Sequence, residues 1–554
     1  MMIQLKIRKK WSMIVLFGLI SWMSVYLAAI VPSIYSSTQK KQKEKEKYAE
    51  TLMRTFTSGE IIELDKIPDN KHFSRLIKDQ AKHEGISEDE LRKVMLEYGV
   101  MKYVIHMLRD GQISLTEYVN LRPDIHWVEA LRMAYVGGGL TLGEELGKLL
   151  AGEVTESVQK LRQDKEIKVR EIAYRSSVED LYPLYAEVAF DPNRKKAPVI
   201  VLVHGDVPGT RMIAIAGAYA YAKKGFFAIA PSQRGRDGSA GEGDVFCREI
   251  YDIYDAVEYV KQNYPDYIDP TNINITGGSA GGMASIAAAV RFPDYFRMSI
   301  PYYGSPDTGH WLRLLGLSGK TFEQWKQGVR SQGWPEGSIT LFRNIIQALG
   351  GMLHEVPDKV MARNLVLGVI NNPYTQIHMI WDMQDGAAPS ITMRNKAYHK
   401  SAVEMGYTNV HIHYSKVGDS IRYLHWITPD NATAQRFFIP QILAETYPPP
   451  ILADAGRLIV LGFVKTKQFL VWLGQGDDAV ARVDYQVSFR RSEFRFRRLS
   501  QDKNVRGKLV LPNKEKKKWT VKVNRKVVMS DVDASEITVD FGLDDVVVVA
   551  LQKE

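Results

Sequence analysis

The chain is organised around one stretch, Ile275-Thr276-Gly277-Gly278-Ser279-Ala280-Gly281-Gly282-Met283. A short apolar strand ends here in a glycine-rich turn, and the alanine-rich segment 284–290 predicts a helix directly after it. Small residues on both sides of Ser279 permit the sharp strand-to-helix turn of a G-x-S-x-G motif, which presents the serine hydroxyl at a helix N-terminus. The motif predicts a nucleophilic serine. A glycine-rich turn without a catalytic role is the alternative.

The composition is that of an ordinary globular protein long enough for several structural units. Of the 554 residues, 45% are apolar and 25% are charged, which argues against a disordered or fibrous chain. Cys247 is the only cysteine, so the chain cannot form an internal disulfide. The net charge of +9 includes basic clusters at 490–498 and 514–526. No aromatic RNA-binding signature accompanies them, so we expect no nucleic-acid partner; a solvated face or attraction to anionic lipid explains them.

Residues 1–35 predict a signal anchor. Four basic residues at 6–10 precede an uncharged stretch at 11–31 that is long enough to span a bilayer. Because no A-x-A cleavage pattern precedes Pro32, we expect an uncleaved membrane helix with the large domain outside, in a bacterial envelope. Lysines at 40–47 weaken the charge asymmetry that sets orientation. Secretion after signal cleavage is the alternative.

Residues 36–165 predict a charged stalk followed by a helical region. The segment 110–117 resembles the second half of a calcium-binding EF-hand loop. The first and third ligand positions of such a loop would be His106 and Leu108, which offer calcium no carboxylate. We therefore expect a helix-turn-helix that binds no metal.

The pattern from 166 to 445 predicts a doubly wound α/β domain. Two alternating strands come first, and a continuous apolar strand at 198–203 is typical of the centre of a parallel sheet. The later strands are predicted at 226–230, 273–276, 298–302, 376–381 and 409–415, and the helices at 211–224, 248–263, 283–290 and 390–405. The segment 304–365 interrupts this order with Trp, Leu and Phe at helical spacing, and predicts a helical cap over the ligand-binding edge of the sheet.

Three consecutive prolines at 448–450 mark a domain boundary. Beyond them, residues 446–554 predict a small all-β, sandwich-like domain. Its six predicted strands lie at 458–464, 483–489, 494–499, 508–511, 519–523 and 546–551.

A nucleophilic serine needs a base to take its proton and an acid to orient that base. In α/β-hydrolases these residues follow in the order Ser, Asp or Glu, His, each at the C-terminal edge of the sheet. Asp385 lies just past the strand predicted at 376–381 and is the predicted acid. Asp382 is its rival, although it lies closer to the body of the strand. Either aspartate could instead be an ordinary loop or capping residue.

Four histidines follow Asp385. His425 lies in the loop after the last predicted strand, where the sheet could present it beside Ser279, and is the predicted general base. His399 falls inside a predicted helix. His411 and His413 share one face of a strand, and no third ligand with supporting spacing makes them a metal site.

The oxyanion of the reaction needs two hydrogen-bond donors. The backbone N–H of Ala280, directly after the nucleophile, is the first predicted donor. The second is predicted from His204-Gly205-Asp206, where the N–H of Asp206 or Val207 can reach the same point. We expect His204 itself to be a structural residue at a strand end.

Several motifs together resemble the catalytic domain of the prolyl oligopeptidase family, over approximately 166–443. They are V-L-V-H-G at 201–205, P-S-Q-R-G-R-D-G at 231–238, D-I-Y-D-A-V-E-Y-V at 252–260, the serine motif at 275–282, and D-G-A-A-P at 385–389. Members of that family are serine peptidases and related esterases with an α/β-hydrolase fold. The resemblance implies Ser279 as nucleophile, Asp385 as orienting acid and His425 as base, with no metal or cofactor.

The chain also departs from that family. His-Gly-Asp replaces the usual His-Gly-Gly, no tyrosine follows nearby as a side-chain oxyanion donor, and the N-terminal part has nothing like the family's β-propeller. We therefore expect a serine hydrolase acting on a small peptide, with a carboxylesterase of the same fold as the first alternative. A catalytically inactive envelope binding protein is the second alternative.

Overall fold

The computed structural model describes residues 161–554 except 206–210, 332–335, 383–387, 416–437, 489, 514–516, 533, 544–545 and 553–554. The chain divides into two compact units, Met1–Pro123 and Asp124–Glu554, and all described residues belong to the second. The predicted signal anchor, and the predicted stalk and helical region up to residue 160, lie outside the described residues. Within the described part, no helix is long and apolar enough to cross a membrane.

An eight-stranded sheet forms the centre of the α/β domain, in the order β1-β2-β4-β3-β5-β6-β7-β8. Strand β2 pairs antiparallel with β1 and β4, and the remaining neighbours are parallel. The strands are β1 (Lys168–Tyr174), β2 (Leu184–Phe190), β3 (Ala197–Val203), β4 (Phe227–Pro231), β5 (Ile268–Gly278), β6 (Met298–Tyr302), β7 (Gln376–Asp382) and β8 (Val410–Ser415). All eight were predicted, and every residue of β3, β4 and β6 is buried, as continuous apolar runs require.

Helices connect these strands, as the alternating pattern predicts. They are α1 (Arg211–Lys223), α2 (Arg248–Asn263), α3 (Ala280–Arg291) and α8 (Ala388–Glu404). A short helix that was not predicted, α9 (Ile439–Leu443), follows β8. Helix α3 begins three residues before the helix predicted at 283–290, because Gly281 and Gly282 of the serine motif are part of its first turn. The strand order and the crossover helices give an α/β-hydrolase-type fold.

The segment between β6 and β7 is helical, as predicted for the cap. It contains α4 (Thr308–Leu314), α5 (Phe322–Ser331), α6 (Glu336–Leu349), α7 (Pro357–Ala362) and a 3-10 helix (Leu365–Asn371). These helices bury an apolar cluster of their own, separate from the core of the sheet; it includes Leu312, Trp325, Phe342, Leu349 and Val360. The apolar residues at helical spacing therefore serve the packing of the insertion itself.

The C-terminal part forms a ten-stranded antiparallel sheet in the order β16-β15-β18-β13-β12-β9-β10-β11-β14-β17. Phe496 of β13 stacks on Phe541 of β17 with ring centroids 4.3 Å apart, although these strands are six places apart in that order. The sheet therefore curls over one core, as in a sandwich. Its strands are β9 (Ala455–Leu461), β10 (Phe463–Lys465), β11 (Leu470–Leu473), β12 (Val480–Val487), β13 (Arg491–Arg498), β14 (Arg506–Pro512), β15 (Trp519–Val523), β16 (Lys526–Val532), β17 (Glu536–Gly542) and β18 (Val546–Gln552).

The prediction for this part was incomplete. A single strand was predicted at 458–464, whereas Gly462, with φ +78°, separates β9 from β10. Strands β11, β16 and β17 were not predicted. The sequence of β17 does show the alternation typical of a strand, since Ile537, Val539 and Phe541 alternate with exposed residues. The sequence of β16 shows almost no such alternation, because most of its residues are exposed.

Asn371 joins the two sheets in the buried interior. Its amide donates hydrogen bonds to the carbonyls of Val290 (2.9 Å) and Ile459 (2.7 Å), and its side-chain oxygen accepts from the N–H of Ile459 at 2.8 Å. Arg291 adds bonds to the carbonyls of Leu461 (3.0 Å) and Ala362 (2.9 Å). The C-terminal sheet is therefore fixed to the end of α3 by hydrogen bonds that have no water to replace them.

Substitution of Asn371→Leu should destabilise the protein strongly. It keeps the side-chain volume but leaves three buried backbone groups without partners, each costing about 1–3 kcal/mol. Chemical denaturation should show a loss of at least ~3 kcal/mol in unfolding free energy. The matched control is Asn263→Leu, at an exposed helix end where the amide donates to the carbonyl of Tyr259. Equal losses in both variants would contradict the proposed role of the buried amide.

Candidate active site

Ser279 lies in the turn between β5 and α3, in a backbone conformation that is rare for a residue with a side chain. Its φ is 56° and its ψ is −118°. The N–H of Ser279 donates to the carbonyl of Tyr302 (2.9 Å), and the N–H of Met283 donates to the carbonyl of Ser279 (3.0 Å). These bonds hold the strained turn between the ends of β5 and β6, with the serine partly exposed. Strain of this kind is characteristic of functional sites.

The glycines of the serine motif make this turn possible by close backbone approach. A Cβ atom added at Gly281 would lie 2.1 Å from the carbonyl oxygen of Val203, and one added at Gly277 would lie 2.3 Å from the carbonyl oxygen of Gly281. Both distances are too short for any side chain. The first turn of α3 therefore fits directly against the end of β3 only because glycine stands at these positions.

The variant Gly281→Ala should lose activity and stability together, because its methyl group must push α3 away from β3. We expect a fall in melting temperature and a loss of hydrolysis of at least about tenfold, since small displacements of a reacting group are costly. Gly328→Ala is the matched control. Gly328 is exposed inside α5 with no heavy atom within 4 Å of an added Cβ, so this change should stabilise slightly. A fully active Gly281→Ala enzyme would contradict the packing argument.

The predicted oxyanion segment lies against Ser279, the predicted nucleophile. A Cβ placed on Gly205 would be 3.4 Å from the carbonyl oxygen of Gly278 and 3.9 Å from Cβ of Ser279. Ala280 is the first residue of α3, where the N–H groups have no acceptor within the helix. The structure thus brings the predicted donor Ala280 and the strand end at Gly205 to Ser279. Asp206 and Val207 lie outside the described residues.

His204 has the structural role that was expected. Its Nδ1 faces the carbonyl of Gly205 at 2.7 Å, and the N–H of Gln233 donates to its Nε2 at 3.3 Å. One ring nitrogen therefore donates and the other accepts, which defines a neutral imidazole. The amide of Gln233 also donates to the carbonyl of His204 at 3.4 Å. The oxyanion segment is tied in this way to the loop that follows β4.

The loop after β4 is held by a buried arginine. Arg234 is 1% exposed and forms a bidentate pair with Asp252 of α2, at 2.7 and 2.8 Å. It also bonds Glu179 at 2.7 Å. Planar bidentate pairs of this kind fix orientation as well as charge. Arg234 and Asp252 both belong to the motifs that resemble the prolyl oligopeptidase family, and their function here is to anchor the loop beside the oxyanion segment.

The strands that precede the predicted acid and base end at the same edge as Ser279. Strands β5, β6, β7 and β8 are consecutive neighbours and parallel, so their carboxyl ends meet at one edge. The N–H of Tyr303 donates to the carbonyl of Ile380 (2.8 Å), which links the serine turn to the end of β7. Asp385 and His425 follow β7 and β8 in the sequence but lie outside the described residues, and their roles remain predictions.

The helical insertion is fixed to the helix that follows the predicted acid. Asp307 caps α4 by accepting the N–H of His310 at 2.9 Å, and it is 1% exposed. The same carboxylate pairs with Arg394 of α8 at 2.6 Å. This partly buried ion pair couples the position of the insertion to the segment that follows the predicted acid.

The structure reveals a histidine cluster that the sequence pattern did not predict. His378 of β7 faces His411 and His413 of β8; its Nδ1 is 3.1 Å from Nε2 of His413, and its ring stacks on His411 with centroids 4.5 Å apart. Phe438 packs against His378 at 4.9 Å. His378 lies 35 residues before His413 in the sequence, and the parallel pairing of β7 with β8 brings it to the two histidines of β8. None of the residues from 161 onward that the structure describes forms a group arranged to hold a metal ion.

Burial controls the protonation of this cluster. Desolvation, followed by the neighbouring histidines His411 and His413, lowers the pKa of His378 well below its ordinary value. Desolvation and then His411 lower the pKa of His413 to about 4. Burial, and next His399 of α8, also lower the pKa of His411. The folded protein therefore requires neutral rings at this position.

The cluster predicts a loss of stability in mild acid. The pKa of His413 is about 4 in the folded protein, below the value of about 6.5 in the unfolded chain. The neutral ring therefore contributes its full stabilisation above pH 6.5, and this contribution is lost as the pH falls towards about 4. His413→Gln should flatten this part of the plot of unfolding free energy against pH. The control is His354→Gln, at an exposed histidine. An unchanged slope in His413→Gln would exclude this origin of acid sensitivity.

Part of the chain is similar to a known protein family. Residues 215–329 match the prolyl oligopeptidase family. The matched segment includes α2, the serine turn and α3, and it confirms the resemblance that the motifs carry. The enzyme class predicted from the sequence, a serine hydrolase, is confirmed with it. No curated protein matches the chain.

Solved structures of peptidases and of esterases are similar to parts of the chain. An acylaminoacyl peptidase from Pyrococcus horikoshii is 18% identical, with 52% of this chain and 41% of that chain covered and a TM-score of 0.34. An esterase from Pyrococcus furiosus is 14% identical, with 46% and 83% covered and a TM-score of 0.34. A puromycin-hydrolysing peptidase from Mycobacterium tuberculosis is 16% identical, with 45% and 36% covered and a TM-score of 0.34. At these scores the similarity carries no argument about substrate.

Proposed function

We propose that the protein hydrolyses a peptide or ester bond of a small substrate through an acyl-enzyme on Ser279. The observation that carries the proposal is the left-handed serine turn at the N-terminus of α3, placed against Gly205 at the end of β3. The match of 215–329 to the prolyl oligopeptidase family supports the same chemistry. The family's peptidases and esterases share this reaction, so the proposal covers both bond types.

In the proposed mechanism, Oγ of Ser279 attacks the carbonyl carbon while His425 takes the hydroxyl proton. Asp385 orients the imidazole and stabilises its positive charge. The negative oxygen of the tetrahedral intermediate accepts hydrogen bonds from the N–H of Ala280 and from the N–H of Asp206 or Val207. Collapse of the intermediate breaks the scissile bond, and His425 gives its proton to the leaving amine or alcohol. Water then repeats these steps on the acyl-enzyme and releases the acid.

Ser279→Ala should abolish covalent labelling by a fluorophosphonate probe, because the probe reacts only with an activated hydroxyl. Ser318→Ala, at an exposed serine of the insertion, is the matched control and should label fully. Asp385→Asn and His425→Gln should reduce labelling by several orders of magnitude, whereas Asp382→Asn should not. Labelling that survives in Ser279→Ala would refute the proposal.

The two bond types can be separated with the same enzyme. Aminoacyl-naphthylamides test for peptidase activity and short acyl nitrophenyl esters test for esterase activity, with Ser279→Ala as the blank. We favour the peptidase on the family match, while the absence of a propeller-like pattern in the sequence favours the esterase. Substitutions on the insertion that shift the ratio of the two activities would locate the specificity site there. An inactive binding protein is not favoured, because the serine motif has the full geometry of a nucleophile turn.

A further inference from the structure

The outward face of the C-terminal sheet carries a surplus of positive charge. We define the arginine face as the outward side chains of strands β9, β12, β13, β15 and β18. Its charged members are Arg457, Arg482, Arg491, Arg495, Arg497 and Lys522, against Asp484 and Glu493. Strand pairing places them side by side; for example, Arg495 lies opposite Asp484 on one side and Val547 on the other.

The two carboxylates of the face order the arginines without neutralising them. Glu493 pairs with Arg491 at 2.7 Å and with Arg495 at 2.8 Å. Asp484 pairs in the same way with two further arginines, Arg457 at 2.5 Å and Arg482 at 3.0 Å. Each acid is thus shared by two guanidinium groups. Six cations and two anions leave four net positive charges, carried mainly on planar groups that suit phosphate oxygens.

An apolar stripe runs through this charged face. In β18 the inward residues Val546, Val548 and Ala550 belong to the core, as expected. The outward residues Val547, Val549 and Leu551 are apolar as well and only partly buried. An antiparallel sheet with one solvated face normally alternates apolar and polar residues, so this strand departs from the rule.

The neighbouring β15–β16 hairpin adds two exposed valines beyond β15. Val527, which pairs with Lys522, is 57% exposed, and Val528 is 51% exposed. The stripe on β18 thus has arginines of β13 on one side and Lys522 of β15 on the other, and Val527 lies beyond that lysine. Aliphatic side chains between cations are the combination that binds the boundary between lipid headgroups and acyl chains.

We propose that the arginine face docks on a bilayer that contains anionic phospholipids. The arginines would bind headgroup phosphates while the stripe on β18 and the valines of β16 enter the interface, and each basic residue strengthens such binding about fivefold. The outward side chains that the structure describes on these strands include no aromatic residue, whereas single-stranded nucleic acids are bound by stacking on aromatic rings. This inference is independent of the proposed hydrolase activity.

The test uses the full-length protein with the substitution Val527→Cys, labelled with a polarity-sensitive fluorophore. Cys247, the only native cysteine, is completely buried, so the label goes to one position. Vesicles of phosphatidylcholine with phosphatidylglycerol should shift the emission to the blue, and phosphatidylcholine alone should not. The matched control is Val403→Cys, which is 56% exposed on α8 and should not respond.

The charge requirement is tested in the labelled protein by the triple variant Arg491→Gln, Arg495→Gln and Arg497→Gln. Its affinity for anionic vesicles should fall about a hundredfold, whereas the control Lys195→Gln, Lys196→Gln and Lys320→Gln should retain binding. Added salt should release the parent protein. An equal response to neutral vesicles, no response to anionic ones, or a response only to an acidic protein or an oligonucleotide would overturn the proposal.

Discussion

The close approach of Gly281 to the end of β3 is the constraint on which the site depends. No side chain fits there, since an added Cβ would lie 2.1 Å from the carbonyl oxygen of Val203. Helix α3 can therefore begin directly at the sheet edge, and the chain must reverse direction within Ser279 itself. The left-handed conformation of that residue follows from the geometry of the strand and helix around it. The same approach brings Gly205, which precedes the predicted oxyanion donor, against the serine.

Two ion pairs hold the segments that flank this edge of the sheet. Arg234 holds the loop after β4 through Asp252, and Asp307 holds the insertion through Arg394. The first pair is buried on both sides and the second on the side of Asp307, and burial of charge costs free energy that good geometry must offset. Such pairs are weak evidence for stability, but they fix position. Fixed donors and loops are what a reaction with a charged intermediate needs, because nothing has to reorganise when the charge develops.

The sequence predicted the parts of the fold that are encoded locally. All eight strands of the central sheet and the serine turn could be predicted, because apolar runs, helical periodicity and a glycine motif are local signals. Local signals could not predict features that depend on which strands pair with one another. His378 could not be assigned to His411 and His413 without knowing that β7 and β8 are parallel neighbours. Strand β16 was missed because its residues are mostly exposed and only its partner β15 makes it a strand.

Helix α3 connects the two halves of this architecture. Its first residue follows the nucleophile, and its last residue, Arg291, bonds the backbone of β9 through Leu461. The carbonyl of Val290 is bound by Asn371, which also bonds β9. A helix is stiff along its axis, so the C-terminal sheet limits how far the nucleophile turn can move. The C-terminal sheet is thus part of what positions Ser279, and the two sheets function as one support.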